Sequence, residues 1–310
     1  MEEKIEIINL LQSKQVLEHE LQSLAYGAVE IRENESNKYI YVHYREDGVA
    51  LTKYVGEYSD ELYNLVLNNS IKAKQLKKQI KEITKKLKQL NYTEEELSEK
   101  VEENIDFAKR HLVDTIYKQA ILEGVATTFA DTESIIEGGK VNNMTSEDIL
   151  KILNLKHAWE FILNKNVILS NINFALLCEI NKIVEEGFYY TAGKVRNTPV
   201  TIGGTTWKPD LPIESIIKEE LEEILNKELN DVDRAIELLL YTMKKQIFID
   251  GNKRTSVIYS NHYLISKGKG IIAIPAELTA EFKELLIPYY EGKDENKIKK
   301  FIKEKCYMSI

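Results

Sequence analysis

Cysteine is nearly absent: Cys178 and Cys306 are the only two in 310 residues. That excludes a disulfide framework, and their spacing does not make a metal site. Both read as small core or tail residues in a reducing compartment. Proline is scarce at five and glycine numbers 14, so no low-complexity linker divides the chain. No apolar run approaches the ~20 residues that a bilayer span needs. The opening MEEKIEIINLLQSKQ lacks the basic start and unbroken apolar core of a signal peptide. A cytoplasmic protein with no membrane attachment is expected. Net positive charge is missing too: the formal net charge of −8 argues against a general nucleic-acid binder.

What is present suits a globular chain of two modest domains, or one with an extension, since 43% of residues are hydrophobic and 30% charged. Residues 3 to 25 carry apolar positions at helical spacing, followed by an alternating GAVEIR. Then YIYVHYREDGVALTKYVG sets aromatic and β-branched residues around Asp47-Gly48, a dipeptide suited to a hairpin turn. Tyr39, Tyr41, His43 and Arg45 fall on one face of that strand; Ile40, Val42 and Tyr44 fall on the other. Such a hairpin packs as a small sheet on helices, or offers its tyrosines to bases or a partner.

From Ala73 to Leu90 the apolar residues keep a 3-4 rhythm, a heptad seam of about two and a half repeats. Asn91-Tyr92 breaks it, and Thr93 with Glu96 forms a capping-box signature for a second helix through Leu97, Val101, Ile105 and Leu112. The first helix is rich in lysine and the second opens on glutamates. An antiparallel helical hairpin would set these as complementary flanks; the lysines could otherwise contact phosphates. Domains are expected at 1–109, an N-terminal α+β extension, and at 110–310, mainly helical. In the latter, helices are expected over roughly 111–125, 146–163, 170–186, 213–229, 231–246, 253–267 and 277–304. The interruption VRNTPVTIGGTTWKPDLP alternates around Val200, Thr201 and Ile202 and turns at Gly203-Gly204, so a short β-hairpin is expected there.

The segment KKQIFIDGNKRTSV concentrates a carboxylate, a glycine, an amide and two cations in Asp250–Arg254. A glycine turn running into a helix N-terminus presents free N–H groups and the positive dipole end to an anion. Asn252 can donate a hydrogen bond, Arg254 can grip phosphate oxygens as a fork, and Lys253 adds a point charge. Asp250 would repel a phosphate unless Mg²⁺ lies between them.

These residues resemble the Fic family, whose core motif is His-x-Phe-x-Asp/Glu-Gly-Asn-Gly/Lys-Arg; the matching positions are Phe248, Asp250, Gly251, Asn252, Lys253 and Arg254. GKVRNTPVTIGGTTWKPDLP is similar to the family's flap, RTSVIYSNHYLISKGKGIIAIP to its following helix and turn, and AILEGVATT to the Glu-Gly portion of its inhibitory helix. The likeness spans about residues 110 to 305. It implies a Fic-type helical bundle and transfer of AMP from Mg-ATP, or from another nucleotide, to a Tyr, Thr or Ser hydroxyl of a target protein. By position, Asp250 would hold Mg²⁺ and Gly251, Asn252 and Arg254 would form the anion hole. Val200, Thr201, Ile202 and Gly203 would dock the target, and Glu123 with Gly124 would be inhibitory.

The sequence also departs from the family. The motif histidine, the general base, falls at Gln246, whose amide cannot take a proton near neutral pH. Lys245 is adjacent but needs a deeply lowered pKa to serve. His262 lies ten residues past Asn252, about 15 Å along a helix, and His157 reads as a core or surface residue. A substrate phosphate or a target carboxylate could accept the proton instead. Gln119 stands where the inhibitory block has Ser or Thr, and Val257 stands where a second motif arginine would pair with its glutamate. Glu123 therefore either occludes the γ-phosphate site or caps a helix, while SIIEGG, with Glu137-Gly138, reads as a helix end. Three functions follow from the resemblance: nucleotidyl transfer by a variant mechanism, a catalytically silent binding or regulatory module for a protein partner, or another phosphoryl or phosphocholine transfer. A homo-oligomer is compatible with all three.

Overall fold

The computed structural model describes residues 23–34, 37–46, 49–90, 97–142 and 144–310, with residues 6, 10, 13, 14, 16–18, 20 and 21 of an N-terminal helical stretch. The chain forms two compact units, Met1–Glu95 and Glu96–Ile310.

In the first unit, strands β1 (Ala28–Asn34), β2 (Asn37–Glu46) and β3 (Val49–Glu57) make an antiparallel sheet in that order. The two-residue period buries Ile40 and Val42 with Val66 of helix α1 (Asp60–Gln89). The other face carries Tyr41 and Tyr54, ring centroids 5.4 Å apart, with the Arg32 guanidinium 4.4 Å over Tyr41. β2 and β3 pair out to Glu46 and Val49; the expected turn at Asp47-Gly48 lies outside the described residues. Helix α1 starts where Ser59 Oγ accepts the Leu62 N–H, and acids in its first turn and lysines in its last suit the helix dipole. Ala73, Leu76 and Leu87 of the expected seam are buried.

The second helix of the expected hairpin, α2 (Glu99–Arg110), belongs to the second unit. The boundary thus falls at Glu95/Glu96 and not at 109/110. Ile105 and Ala108 enter the second unit's core. Asn104 clamps Gly270 twice, donating to its carbonyl at 3.2 Å and accepting its N–H at 2.8 Å. Thr93 and Glu96, the expected cap, lie outside the described residues, and α2 opens after Ser98.

Next come helices α3 (Leu112–Leu122), α4 (Phe129–Ile136), α5 (Ser146–Ile162), α6 (Lys165–Ile168), α7 (Phe174–Val184), α8 (Glu214–Asn226), α9 (Asp231–Lys245), α10 (Asn252–Ser266) and α11 (Thr279–Tyr290). The expected helix over 277–304 breaks after α11, resumes as α12 (Glu295–Phe301) and widens into a π-turn, Ile302–Cys306. The break holds Gly292 and Asp294, both with positive φ. Strands β4 (Ile271–Ile272) and β5 (Tyr307–Met308) tie the C-terminal segment back.

Helix α10 is the hub. Every residue from Arg254 to Ile265 is buried, so its polar side chains need internal partners. Asn261 donates to the Val257 and Ile272 carbonyls and accepts the Ile272 N–H, while Ser256 Oγ donates to the Asn252 carbonyl. Helix α9 packs beside it, with Leu238, Leu239 and Met243 fully buried. No helix among the described residues is long and apolar enough to cross a membrane.

Candidate functional site

The site is built where α9 hands over to α10. Gln246 ends α9 in the left-handed region, with φ 46° and ψ 60°. Its Nε2 turns back to donate to the Met243 carbonyl at 2.6 Å. Buried Phe248 anchors the turn, and Asn252 closes it: Oδ1 accepts the Phe248 N–H at 3.0 Å, and Nδ2 donates to the Phe248 carbonyl at 2.8 Å and to Gln246 Oε1 at 3.3 Å. Both amide hydrogens of Asn252 are therefore engaged within the loop. The sequence reading gave that amide to a phosphate; the structure makes it the staple of the turn.

Asn181 of α7 supports the loop from below, donating to the Asp250 carbonyl at 3.0 Å and to Thr255 Oγ1 at 3.1 Å. Helix α10 then starts with no side-chain cap, which leaves its first-turn N–H groups and dipole to an incoming anion. Asp250 keeps its carboxylate half exposed, with Oδ1 accepting the Gly251 N–H at 2.7 Å.

Beneath the loop lies a buried charge cluster. Arg254 is 2% exposed, with Nη2 at 2.7 Å from Glu185 Oε1 and Nε at 3.5 Å from Glu123 Oε2. Lys253 Nζ lies 3.4 Å from Glu123 Oε1. Hydrogen bonding in the cluster is incomplete: Arg254 Nη1 and Glu185 Oε2 are buried with neither a hydrogen-bond nor an ion-pair partner among the described residues. Such groups mark a place where a ligand, ion or water completes the set. Burial pushes the Glu185 carboxyl up to about 7, with Arg254 opposing and Asp250 and Glu123 adding to the rise.

One cleft of about 430 Å³ brings these parts together. Glu123, Gln246, Asp250, Asn252 and Lys253 line one side, Val200, Thr201, Ile202 and Gly203 another, and Lys283, Leu286, Ile287 and Tyr290 of α11 complete it. The expected flap is thus at the site, but it is not a β-hairpin: residues 195–212 are extended coil with a turn at Gly203-Gly204. Its stems are held by Arg196, buried at 3% exposure. The Arg196 guanidinium donates to the carbonyls of Gln246 (2.5 Å), Thr198 (2.8 Å) and Asp210 (2.6 Å). Among the described residues, no backbone hydrogen bond involves Val200–Gly203. At the flap's far end Trp207 stacks on Tyr290, with centroids 5.8 Å apart.

Several expected residues stand elsewhere. Gly251, Arg254 and Gly124 do not line the cleft, and neither does Lys245. Lys245 Nζ is paired with Glu220 Oε2 at 2.5 Å, an acceptor it shares with the Tyr241 hydroxyl, so it cannot act as a base on the cleft. His262 is fully buried, its Nε2 at 2.8 Å from the Val167 carbonyl and its pKa lowered by burial; His157 is exposed on α5. Gln119 is structural: it donates to the Arg254 carbonyl at 2.7 Å and accepts the Trp159 indole N–H at 3.0 Å. Glu123 does cap α3, with Gly124 at φ 82°, yet its carboxylate also reaches the cleft and the two loop cations. Glu137-Gly138 ends α4. Sequence reasoning missed Asn181, Glu185, Arg196 and Lys283. Of these only Arg196 carried a signal, as a cation at the base of the flap.

Residues 171–264 match the Fic/DOC family. No curated protein matches the chain. Among solved structures, a fragment of Fic-1 from C. elegans superposes with a TM-score of 0.53 at 16% identity, covering 79% of this chain and 77% of that one. A Fic domain containing signaling protein from Bacteroides thetaiotaomicron gives 0.52 at 18% identity, covering 62% and 76%. A Fic family protein from Desulfovibrio desulfuricans gives 0.53 at 13% identity, covering 66% and 68%. These likenesses concern the fold. The helical bundle around α10 has the fold of Fic-domain proteins, and its residues 171–264 match the Fic/DOC family.

Proposed function

We propose that the second unit binds a nucleotide with Mg²⁺ at the Asp250–Arg254 loop and transfers its nucleotidyl group to a hydroxyl of a target protein. The observation that carries this reading is the shared cleft: the uncapped N-terminus of α10, Lys253, Asp250 and the flap residues Val200–Gly203 all face it. The buried Nη1 of Arg254, without a hydrogen-bond partner among the described residues, stands behind that N-terminus as a second anion-directed feature.

The donor set fits Mg²⁺ held mainly through substrate phosphates. Such sites use one or two carboxylates, and Asp250 is the half-exposed carboxylate of the cleft. When bound, the ion would neutralise phosphate charge. The chain's own residues bind and orient. First-turn N–H groups and Lys253 receive the phosphates, and the unpaired backbone edge at Val200–Gly203 receives an extended target segment by strand addition. In the transfer, the target hydroxyl oxygen bonds to the α-phosphorus and the bond to the β-phosphate bridging oxygen breaks, releasing pyrophosphate. The hydroxyl proton goes to a substrate phosphate or a target carboxylate, because Gln246 cannot accept it.

A second reading, a silent binding or regulatory module, is favoured by one observation. Gln246 is tied at both ends of its amide, to Met243 and Asn252, and among the described residues no histidine lines the cleft. Incubation with α-labelled ATP, Mg²⁺ and lysate separates the two. Label transferred by the wild type supports transfer; label appearing only in Gln246→His supports the silent module; label in neither removes the transferase reading.

A further inference from the structure

Arg254 is the strongest cation of the loop, yet it does not line the cleft. Its guanidinium is drawn under the loop by Glu185 at the C-terminal end of α7, 2.7 Å away, and both side chains are 2% exposed. The same carboxylate shapes the loop itself. A Cβ on Gly251 would fall 2.3 Å from Glu185 Oε1, so Gly251 is the residue that lets the loop pass over it. A surface carboxylate at this distance would contribute little. Here neither partner has water to fall back on, and the position of one fixes the other.

We propose that Glu185 is a positioning residue of the candidate site: its carboxylate holds Arg254 below the loop and competes with the phosphates of a ligand for that guanidinium. The inference rests on the anion-site reading above and deepens it. Charge explains the competition. Lys253 and Arg254 face three carboxylates, Glu123, Asp250 and Glu185, so the cluster lacks the surplus of positive charge that a bare polyphosphate needs. Arg254 Nη1 has no partner among the described residues and Nε has only a 3.5 Å ion pair with Glu123, neither making a hydrogen bond, so the Glu185 contact does not use up the guanidinium. A ligand that draws Arg254 forward gives those donors acceptors and must outbid Glu185 to do so.

The test uses the full chain and titration calorimetry with inorganic tripolyphosphate and with Mg-ATP at pH 8. Glu185→Gln keeps an oxygen acceptor for Arg254 and removes the charge. It is expected to bind tripolyphosphate at least tenfold more tightly than wild type, with a smaller gain for Mg-ATP, whose cation already offsets the carboxylates. Adding Arg254→Ala is expected to erase the gain. Glu185→Asp, which retracts the carboxylate by one methylene, is expected to show part of it. Unchanged or weaker binding in folded Glu185→Gln, or a gain that survives Arg254→Ala, overturns the inference and leaves the anion-site reading standing. Loss of folding in both Glu185 variants also overturns it, since the residue is then structural only. Absence of any binding by wild type and both variants removes the anion-site reading itself.

Discussion

Gly251 lies directly over the buried carboxylate of Glu185, with φ +72° and no room for a methyl group: the nearest Glu185 oxygen would be 2.3 Å from an added Cβ. The loop and the charge cluster are therefore one construction. Gly251→Ala places a side chain in a left-handed conformation, worth roughly 1–2 kcal/mol, and displaces Glu185 from Arg254 as well. The expected outcome is a melting temperature lower by about 3–8 °C for a unit of this size, with tripolyphosphate binding altered in parallel. Calorimetric melts and titrations of the one variant check both.

The titration of Glu185 gives a pH signature. Its pKa is raised from 4.5 to about 7, chiefly by burial. The stability it contributes is fully present below about pH 4.5 and is lost as pH rises through about 7. The Glu185→Gln variant, which mimics the protonated acid, is expected to match wild type near pH 5. As pH rises to 8 the wild type is expected to lose stability relative to the variant, the direction that the raised carboxyl sets. Arg254, Asp250, Glu123 and Lys151 are the charged groups that act on Glu185, so the comparison is made at constant salt. Denaturant melts of the two proteins from pH 5 to 8 read the divergence directly.

Much of the bundle was legible because its helices announce themselves locally. The apolar spacing of 231–246 and 253–267 sets α9 and α10, and a glycine turn between them marks an anion loop. The charge cluster was not legible. Glu185 stands with Glu186 and Gly187 after an apolar run, which reads as a solvated helix end, and only the packing of α7 against the loop buries it. Asn252 was read as a phosphate donor because spacing shows where a residue sits, not where its amide turns. The flap failed as a hairpin for a related reason. The alternation of Val200, Thr201 and Ile202 is real, but Arg196 takes the Thr198 and Asp210 carbonyls for its guanidinium, acceptors that a strand ladder would have needed.

Arg196 follows as a test of how the flap is held. It satisfies three carbonyls, at the end of α9 and in both flap stems, while being 3% exposed. Arg196→Ala leaves these acceptors short and opens a cavity, with an expected cost of about 3 kcal/mol. Arg196→Lys restores the charge without the fork and is expected to recover less than half. Limited proteolysis should cut both variants faster between residues 197 and 211 than elsewhere, with helix content by circular dichroism nearly unchanged. Uniform loss of protection across the second unit would show instead that Arg196 supports the bundle and not the flap.

Gln246 is where binding and reaction part. Its left-handed backbone is tolerated better by histidine than by most residues, and its carbonyl is fixed by Arg196 whatever the side chain. Gln246→His should therefore fold like wild type while giving up the amide contacts to Met243 and Asn252. A general base in this position is worth roughly 10²–10⁴ in rate. If the loop holds a nucleotide and the flap a target, labelled AMP incorporation should rise by that order, and adding Lys253→Ala should weaken nucleotide affinity while the pH profile of the remaining activity still follows the histidine. A gain in nucleotide affinity without any gain in label would place the missing element on the target side of the cleft, at Val200–Gly203, and shift the reading toward a silent binding module.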